Sequence, residues 1–140
     1  MTGAGKCLCG AVTIALTGQP LEVVQCWCRQ CQVLAAGGPT QSAIFRSEDV
    51  TLTGALARSS YIAASGNAPA AHFCASCGTQ ICGLSSAAPA LVAVRLGALD
   101  QPHGLGPRIA LWTKEAPTWA VIDPALEQFA EQPSPPPGNP

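Results

Sequence analysis

Charge of either sign is scarce in this chain. Only 11% of its 140 residues are charged, and the formal net charge is -1. The seven basic residues are scattered along the sequence, whereas a nucleic-acid-binding surface usually needs a clustered basic face. The composition therefore predicts that nucleic acid is not a partner.

Long apolar runs are missing as well. No run reaches the roughly 18 residues of a membrane span, and residues 1–6 lack the apolar stretch of a secretory signal. We therefore expect no membrane contact and a cytoplasmic location. Because 48% of the residues are apolar, the length suffices for one domain with a hydrophobic core.

Groups for acid–base catalysis are few. The chain has two histidines and eight acidic residues, and we find no Ser–His–Asp set, no paired-carboxylate pattern and no phosphate-binding loop. Chemistry, if present, must come from the eight cysteines. In a chain without a secretion signal, such cysteines are more often metal ligands than disulfide partners.

The hydrophobic pattern favours many short strands separated by turns. Alternating apolar positions or short β-branched runs predict strands at residues 11–18, 21–25, 42–46, 50–54, 58–63, 91–96 and 108–113. No long amphipathic helix is evident. We therefore predict an all-β fold, either a sandwich or an open barrel.

The remaining segments give weaker signals. We expect the ordered part to open at Cys7, residues 35–40 to form a glycine-rich loop, and residues 125–131 to form one or two helical turns. Residues 1–130 would then be a single domain. The proline-rich stretch 131–140 cannot bury a core and is expected to be disordered.

The densest motif lies at residues 26–31, where three cysteines follow the spacing C-x-C-x-x-C. Thiolates are soft ligands that suit zinc, and one tight turn can direct Cys26, Cys28 and Cys31 at a single point. Three protein ligands leave one tetrahedral position free, which is typical of a catalytic zinc site.

The other thiols suggest a second, closed site. Cys74-x-x-Cys77 followed by glycine is typical of a zinc knuckle, and Cys7 with Cys9 supplies two further ligands. This division is the simplest but not the only one, because Cys82 or a histidine could complete the triplet. A purely structural pair of metal sites and, less favoured, a disulfide scaffold are alternatives.

Two neighbouring residues have less specific interpretations. Cys82 lies in a strand-like context and is expected to be a buried small hydrophobe. Trp27, inside the triplet, is either a packing residue or a wall on the substrate side.

The ordered set of cysteine motifs resembles the glutathione-dependent formaldehyde-activating family, also described as the centromere-protein-V-like domain. The resemblance covers residues 3–130 and includes a later Leu-Trp-Thr-Lys segment with Trp119 and Phe129. Four segments carry it: Gly5-x-Cys7-x-Cys9-Gly10-x-Val12, Cys26-x-Cys28-x-x-Cys31, His72-Phe73-Cys74-x-x-Cys77-Gly78-Thr79, and Gly97-x-Leu99-Asp100-x-Pro102.

This resemblance implies a β-rich Mss4-like fold, a β-sandwich or β-tent with little helix and two zinc ions per chain. It implies a structural zinc on Cys7, Cys9, Cys74 and Cys77, and a catalytic zinc on Cys26, Cys28 and Cys31. The implied activity is that of a carbon–sulfur lyase, which forms or cleaves an S-hydroxymethyl-type adduct between a thiol such as glutathione and an aldehyde. The alternative is a non-catalytic zinc-binding module that contacts a protein partner.

The chain departs from the family pattern beside the triplet. Trp27 stands where many members have histidine, and Gln32 and Val33 stand where many have a basic pair. The carboxylates of glutathione need cationic partners. Candidate substitutes in this sequence are Arg29, Arg46 and Arg58.

Overall fold

Short β-strands make up most of the regular structure. The computed structural model describes residues 3–63 and 66–133. Its single α-helix in those ranges, α1, spans Arg29–Leu34, and three 3-10 turns cover Ser47–Asp49, Leu96–Ala98 and Thr113–Glu115. The strands are β1 (Gly3–Lys6), β2 (Thr13–Leu16), β3 (Glu22–Cys26), β4 (Thr40–Arg46), β5 (Val50–Thr53), β6 (Leu56–Ser60), β7 (Ala70–Cys74), β8 (Gln80–Leu84), β9 (Leu91–Arg95), β10 (Ile109–Leu111) and β11 (Glu127–Gln128).

The strands form two sheets. A small antiparallel sheet has the order β1-β2-β5, and a large sheet has the order β11-β10-β3-β4-β9-β8-β7-β6. All neighbours in the large sheet are antiparallel except β10, which runs parallel to both β3 and β11. No helix in the described part of the chain is long and apolar enough to cross a membrane.

The main core lies between the two sheets. Ile14 and Leu16 of β2 belong to one buried cluster with Phe45 of β4 and Val94 of β9. The alternation of apolar and polar residues along these strands places one set of side chains inward, as period-two patterning requires. Phe45 and Val94 have no exposed surface, so this cluster holds the sheets face to face.

The face of the large sheet that points away from the main core carries the candidate functional residues. It carries a smaller apolar cluster around Val24 and Ile44, against which Cys26 packs. Residues directly opposite each other on paired strands share a face. The register sets Cys26 opposite Thr40, and Ser42 opposite Arg95, so this face carries both a thiol and a guanidinium.

The backbone approaches most closely where β1 meets the segment after β9. Gly5 pairs with Leu99 in an isolated antiparallel bridge. A Cβ atom on Gly5 would lie 2.2 Å from the carbonyl oxygen of Ala98, which no side chain can accommodate without backbone movement. Glycine at this position allows the small sheet to pack against the large one.

The all-β fold expected from the hydrophobic pattern is confirmed, with several boundaries moved. The strand expected at residues 108–113 is reduced to Ile109–Leu111, and the one expected at 58–63 lies at Leu56–Ser60. The glycine-rich segment 35–40 is a turn up to the start of β4. Of the stretch expected to be disordered, residues 134–140 lie outside the described residues.

Two expectations were wrong, and the strands β1 and β7 and helix α1 were not predicted. Residues 125–131 were expected to be helical but contain β11, because Phe129 N–H donates to the Ala110 carbonyl and adds the segment to the sheet edge. The ordered part opens at β1 rather than at Cys7. Helix α1 was missed because it is only six residues long and begins inside the cysteine motif.

Candidate metal centres

Four cysteine sulfurs converge near the start of the chain. The Sγ atoms of Cys7, Cys9, Cys74 and Cys77 all lie within 4.8 Å of one another. The Cys7–Cys9 and Cys9–Cys74 sulfur distances are 3.6 and 3.8 Å. A tetrahedral zinc with Zn–S bonds of about 2.3 Å would place its sulfurs about 3.8 Å apart. The observed spacing therefore fits a tetrahedral four-thiolate ion.

Two tight turns bring these four sulfurs together. One turn follows β1, and the other joins β7 to β8, where Gly78 adopts a φ of +77° that favours glycine. Backbone N–H groups in these turns point at sulfur: Val12 N lies 3.2 Å from Cys7 Sγ, and Cys77 N lies 3.5 Å from Cys74 Sγ. Such donors stabilise thiolates, which are the ligand form.

Thr79 supports this four-cysteine cluster from two sides. Its hydroxyl lies 3.1 Å from Cys77 Sγ and accepts a hydrogen bond from Leu8 N at 3.1 Å. Hydrogen bonds from the Thr79 side chain and backbone lower the pKa of the Cys77 thiol to about 5. Thr79 thus favours the thiolate form of Cys77, which is the form that binds a metal ion.

The second convergence contains three cysteines. The Sγ atoms of Cys26, Cys28 and Cys31 lie within 4.8 Å of one another. Within the described ranges 3–63 and 66–133, no histidine, carboxylate or fourth cysteine completes this group. Neither Cys82 nor a histidine joins the triplet, so two of the alternatives left open by the sequence are removed.

The end of β3 and the start of α1 create the triplet. Cys26 ends β3, Cys28 is the N-cap of α1, and Cys31 lies in the first turn of the helix. The Cys28 sulfur accepts a hydrogen bond from Cys31 N at 3.3 Å, which satisfies a helix N–H that would otherwise lack a partner. The C-x-C-x-x-C spacing is thus the spacing of a strand end followed by a capped helical turn.

The electrostatic environment favours a thiolate in the triplet. Hydrogen bonds from Cys26 and Cys28 lower the pKa of the Cys31 thiol to about 3, and Thr40 and the charge of Arg95 act in the same direction. The same sulfur contacts raise the pKa of Cys26. Burial, followed by the negative charge of the triplet, raises the pKa of Tyr61 to about 12, so its hydroxyl keeps its proton.

Trp27 and Gln32 hold the triplet segment against the rest of the protein. Trp27 is 3% exposed, its Nε1 donates to Gln25 Oε1 at 2.9 Å, and its ring meets Trp119 edge-on at 6.5 Å. Gln32 is buried, and its Nε2 donates to the carbonyls of Trp27 at 2.8 Å and Glu115 at 2.9 Å. The Trp27 side chain is therefore a packing residue, buried between the triplet segment and the rest of the protein.

Replacing Gln32 with leucine should lower the free energy of unfolding by about 1–3 kcal/mol, because two carbonyl oxygens lose their donor in a buried environment. Urea denaturation measures the change. Gln30→Leu is the matched control, since Gln30 is exposed on the same helix and should shift stability little. Equal effects of the two substitutions would contradict the anchoring role of Gln32.

Sequence reasoning missed the residues around the triplet that come from other strands. Arg95 and Tyr61 lie far from the motif in sequence, Thr40 lies beyond the turn that follows α1, and no local pattern distinguishes the three. Cys82 is buried at 1% exposure, as its strand-like context predicted. Two surface cavities of about 370 and 310 Å³ lie elsewhere, and no cysteine lines either of them.

Two sheets and two cysteine clusters with metal-ligand geometry define an all-β protein that could bind two metal ions. The family model described as glutathione-dependent formaldehyde-activating enzyme matches residues 2–115. The chain belongs to that family, as the ordered cysteine motifs suggested.

Comparison with known proteins adds a structural relative. A crystal structure of a Rhodobacter sphaeroides protein, a structural genomics target, is similar with a TM-score of 0.54 and 25% identity. The match covers 75% of this chain and 92% of the other. No curated protein matches the chain.

Proposed function

We propose that this protein is a zinc-dependent carbon–sulfur lyase of the formaldehyde-activating type. Cys26, Cys28 and Cys31 would hold the catalytic ion. A second, structural ion would be held by the remaining ligand set, Cys7, Cys9, Cys74 and Cys77. The reaction would join a thiol to an aldehyde as an S-hydroxymethyl-type adduct, or release the aldehyde in reverse.

One observation carries this proposal, namely the unequal number of ligands in the two clusters. The four-cysteine cluster can surround a tetrahedral ion completely, whereas three cysteines in the triplet leave room for one external ligand. The described part of the chain brings no further ligand atom to the triplet. An ion whose four ligands all come from the protein suits a structural role, whereas an ion with one free coordination position can bind a substrate sulfur.

Zinc in the triplet would lower the pKa of an incoming thiol, so that thiolate is available near neutral pH. Such a thiolate, its proton having passed to solvent, would form a bond to the carbonyl carbon while the π electrons move to oxygen, and that oxygen would take a proton back from water. The protein's own groups position the reactants. Cys28 and Cys31 are fixed by the helix cap, and Gln32 ties the helix to neighbouring backbone.

The family context supports a thiol substrate such as glutathione together with formaldehyde or another aldehyde. We propose that residues 1–130 act as one catalytic domain. A cytoplasmic location is consistent with clusters of reduced cysteines, because such thiols persist in reducing compartments.

Two measurements on protein reconstituted with two metal ions per chain test this function. With cobalt in place of zinc, a small thiol should change the sulfur-to-cobalt absorption of the triplet, while the four-cysteine cluster stays unchanged. With zinc, exchange NMR of formaldehyde plus thiol should show faster adduct interconversion than in the same mixture without protein. A spectrum that no thiol changes would favour the non-catalytic zinc module instead.

A further inference from the structure

Arg95 is a partly buried cation with no carboxylate partner among residues 3–63 and 66–133. Its Nη1 donates to Ser42 Oγ at 2.7 Å, and its Nε is buried without any hydrogen-bond partner. The only ion pair found among residues 3–63 and 66–133 joins Lys114 to Glu131 at the surface. An anion that binds at the Nη atoms would compensate the charge of a guanidinium in such a place.

The two strands next to β9 leave a site, here called the Arg95 site, for this guanidinium on the face of the large sheet. Arg95 belongs to β9, and its head group reaches Ser42 on β4, one neighbouring strand. On the other neighbour, β8, a Cβ atom added to Gly83 would lie 3.0 Å from Arg95 Nη2. The absence of a side chain on Gly83 therefore leaves room for the guanidinium above the sheet.

The strand register places the Arg95 site near the triplet. Cys26 lies opposite Thr40, and Ser42, which binds Arg95, follows two residues later on the same face. Neighbouring strands are about 4.8 Å apart and two residues span about 6.7 Å, so the backbone positions of Cys26 and Ser42 are about 8 Å apart. Arg95 Nη1 lies 2.7 Å from Ser42 Oγ, so the guanidinium lies on the same face as the triplet, and a small ligand could span the two.

We propose that Arg95 binds the carboxylate of a small mercapto acid whose sulfur occupies the open position at the triplet. This inference rests on the proposed function and narrows its substrate class. Because the triplet and the Ser42–Arg95 pair are close together, the carboxylate of the ligand should lie only two or three carbon atoms from its sulfur. Both carboxylates of glutathione lie further from its sulfur along the chain, so glutathione would not make this contact as well.

The arginine side chain suits this task chemically. A guanidinium presents several fixed N–H donors, which match the two oxygens of a carboxylate. In Arg95, one donor is already held by Ser42, which fixes the orientation of the head group before the ligand arrives. Arg95 is therefore a specificity-determining residue, separate from the cysteines that hold the ion.

A matched pair of thiols tests the inference: 3-mercaptopropionate and its uncharged analogue 3-mercaptopropionamide. Their dissociation constants are measured from the absorption of protein with cobalt in both clusters. The parent should bind the acid at least about 10-fold more tightly than the amide, as expected for a charge-assisted contact. Glutathione, as a third ligand, should bind more weakly than the short acid.

Three variants make the test specific. Arg95→Gln should reduce the acid preference to about 1-fold, with the affinity for the acid falling by a larger factor than that for the amide; amide binding that persists reports that the site is intact. Arg95→Lys should keep part of the preference, since the charge remains. Arg108→Gln is the control, because Arg108 is exposed just before β10 and should keep the full preference.

The outcomes separate this inference from the proposed function. If the parent binds thiols without preferring the acid, or if Arg95→Gln keeps the preference, the carboxylate site is wrong and the open metal position stands. If Arg95→Gln lowers the affinity for both thiols equally, Arg95 maintains the metal-binding triplet rather than binding a carboxylate, and the inference is overturned. If no thiol changes the spectrum, the proposed function fails and the inference fails with it.

Discussion

Replacing Cys74 with serine should remove most of the protein's free energy of unfolding. Cys74 is 1% exposed, and its sulfur lies among three others in the four-cysteine cluster. Structural zinc sites contribute about 10–16 kcal/mol of apparent binding free energy, whereas whole domains are stable by about 5–15 kcal/mol. Loss of one of four ligands therefore removes a contribution comparable to the total stability.

Thermal unfolding of the metal-loaded variant, followed by circular dichroism, measures this effect. Cys82→Ala is the matched control, because Cys82 is also 1% exposed but belongs to neither cluster. The control should lose only about 1 kcal/mol, the usual cost of a small cavity. A Cys74→Ser variant that melts like the parent would refute the structural role of its cluster.

Replacing Cys28 with serine should abolish the protein's acceleration of thiol–aldehyde adduct formation while the protein stays folded. A hydroxyl is a far poorer zinc ligand than a thiolate, so the triplet should lose its ion. Serine is also one of the preferred helix N-cap residues. It can accept the hydrogen bond that Cys28 now accepts from Cys31 N, and α1 should remain in place.

Metal content, melting temperature and adduct kinetics together measure this result. We expect one zinc per chain in place of two, a melting temperature within a few degrees of the parent, and a rate no higher than that of the solution without protein. Cys82→Ala again serves as the control and should keep both ions. Two tightly held zinc ions in the Cys28→Ser variant would contradict the assignment of the triplet.

The membership of each cysteine cluster could be predicted because both clusters are built from short local motifs. The turn geometry that brings Cys26, Cys28 and Cys31 together is contained in six residues. The strands were predictable for a similar reason, since their alternating pattern is a local property. The link between the two halves of the four-cysteine cluster was only the simplest of the divisions that the sequence left open, and the structure brings those four cysteines together.

The surroundings of the triplet could not be predicted, because they depend on strand register. Arg95 lies on the same sheet face as Cys26 only because β9 pairs with β4, and β4 with β3. Register is a tertiary property that a one-residue shift would reverse. The same holds for β11, where residues with a helical pattern form a strand because the edge of β10 offers them hydrogen-bond partners.

The four-cysteine cluster joins parts of the chain that are 65 positions apart, from Cys9 to Cys74. Closing a loop of this length in an unfolded polymer costs about 4 kcal/mol of chain entropy. A metal ion that closed it would be a removable cross-link spanning about half of the 140-residue sequence. The supply of that ion would then govern how long the newly made chain stays open to proteases.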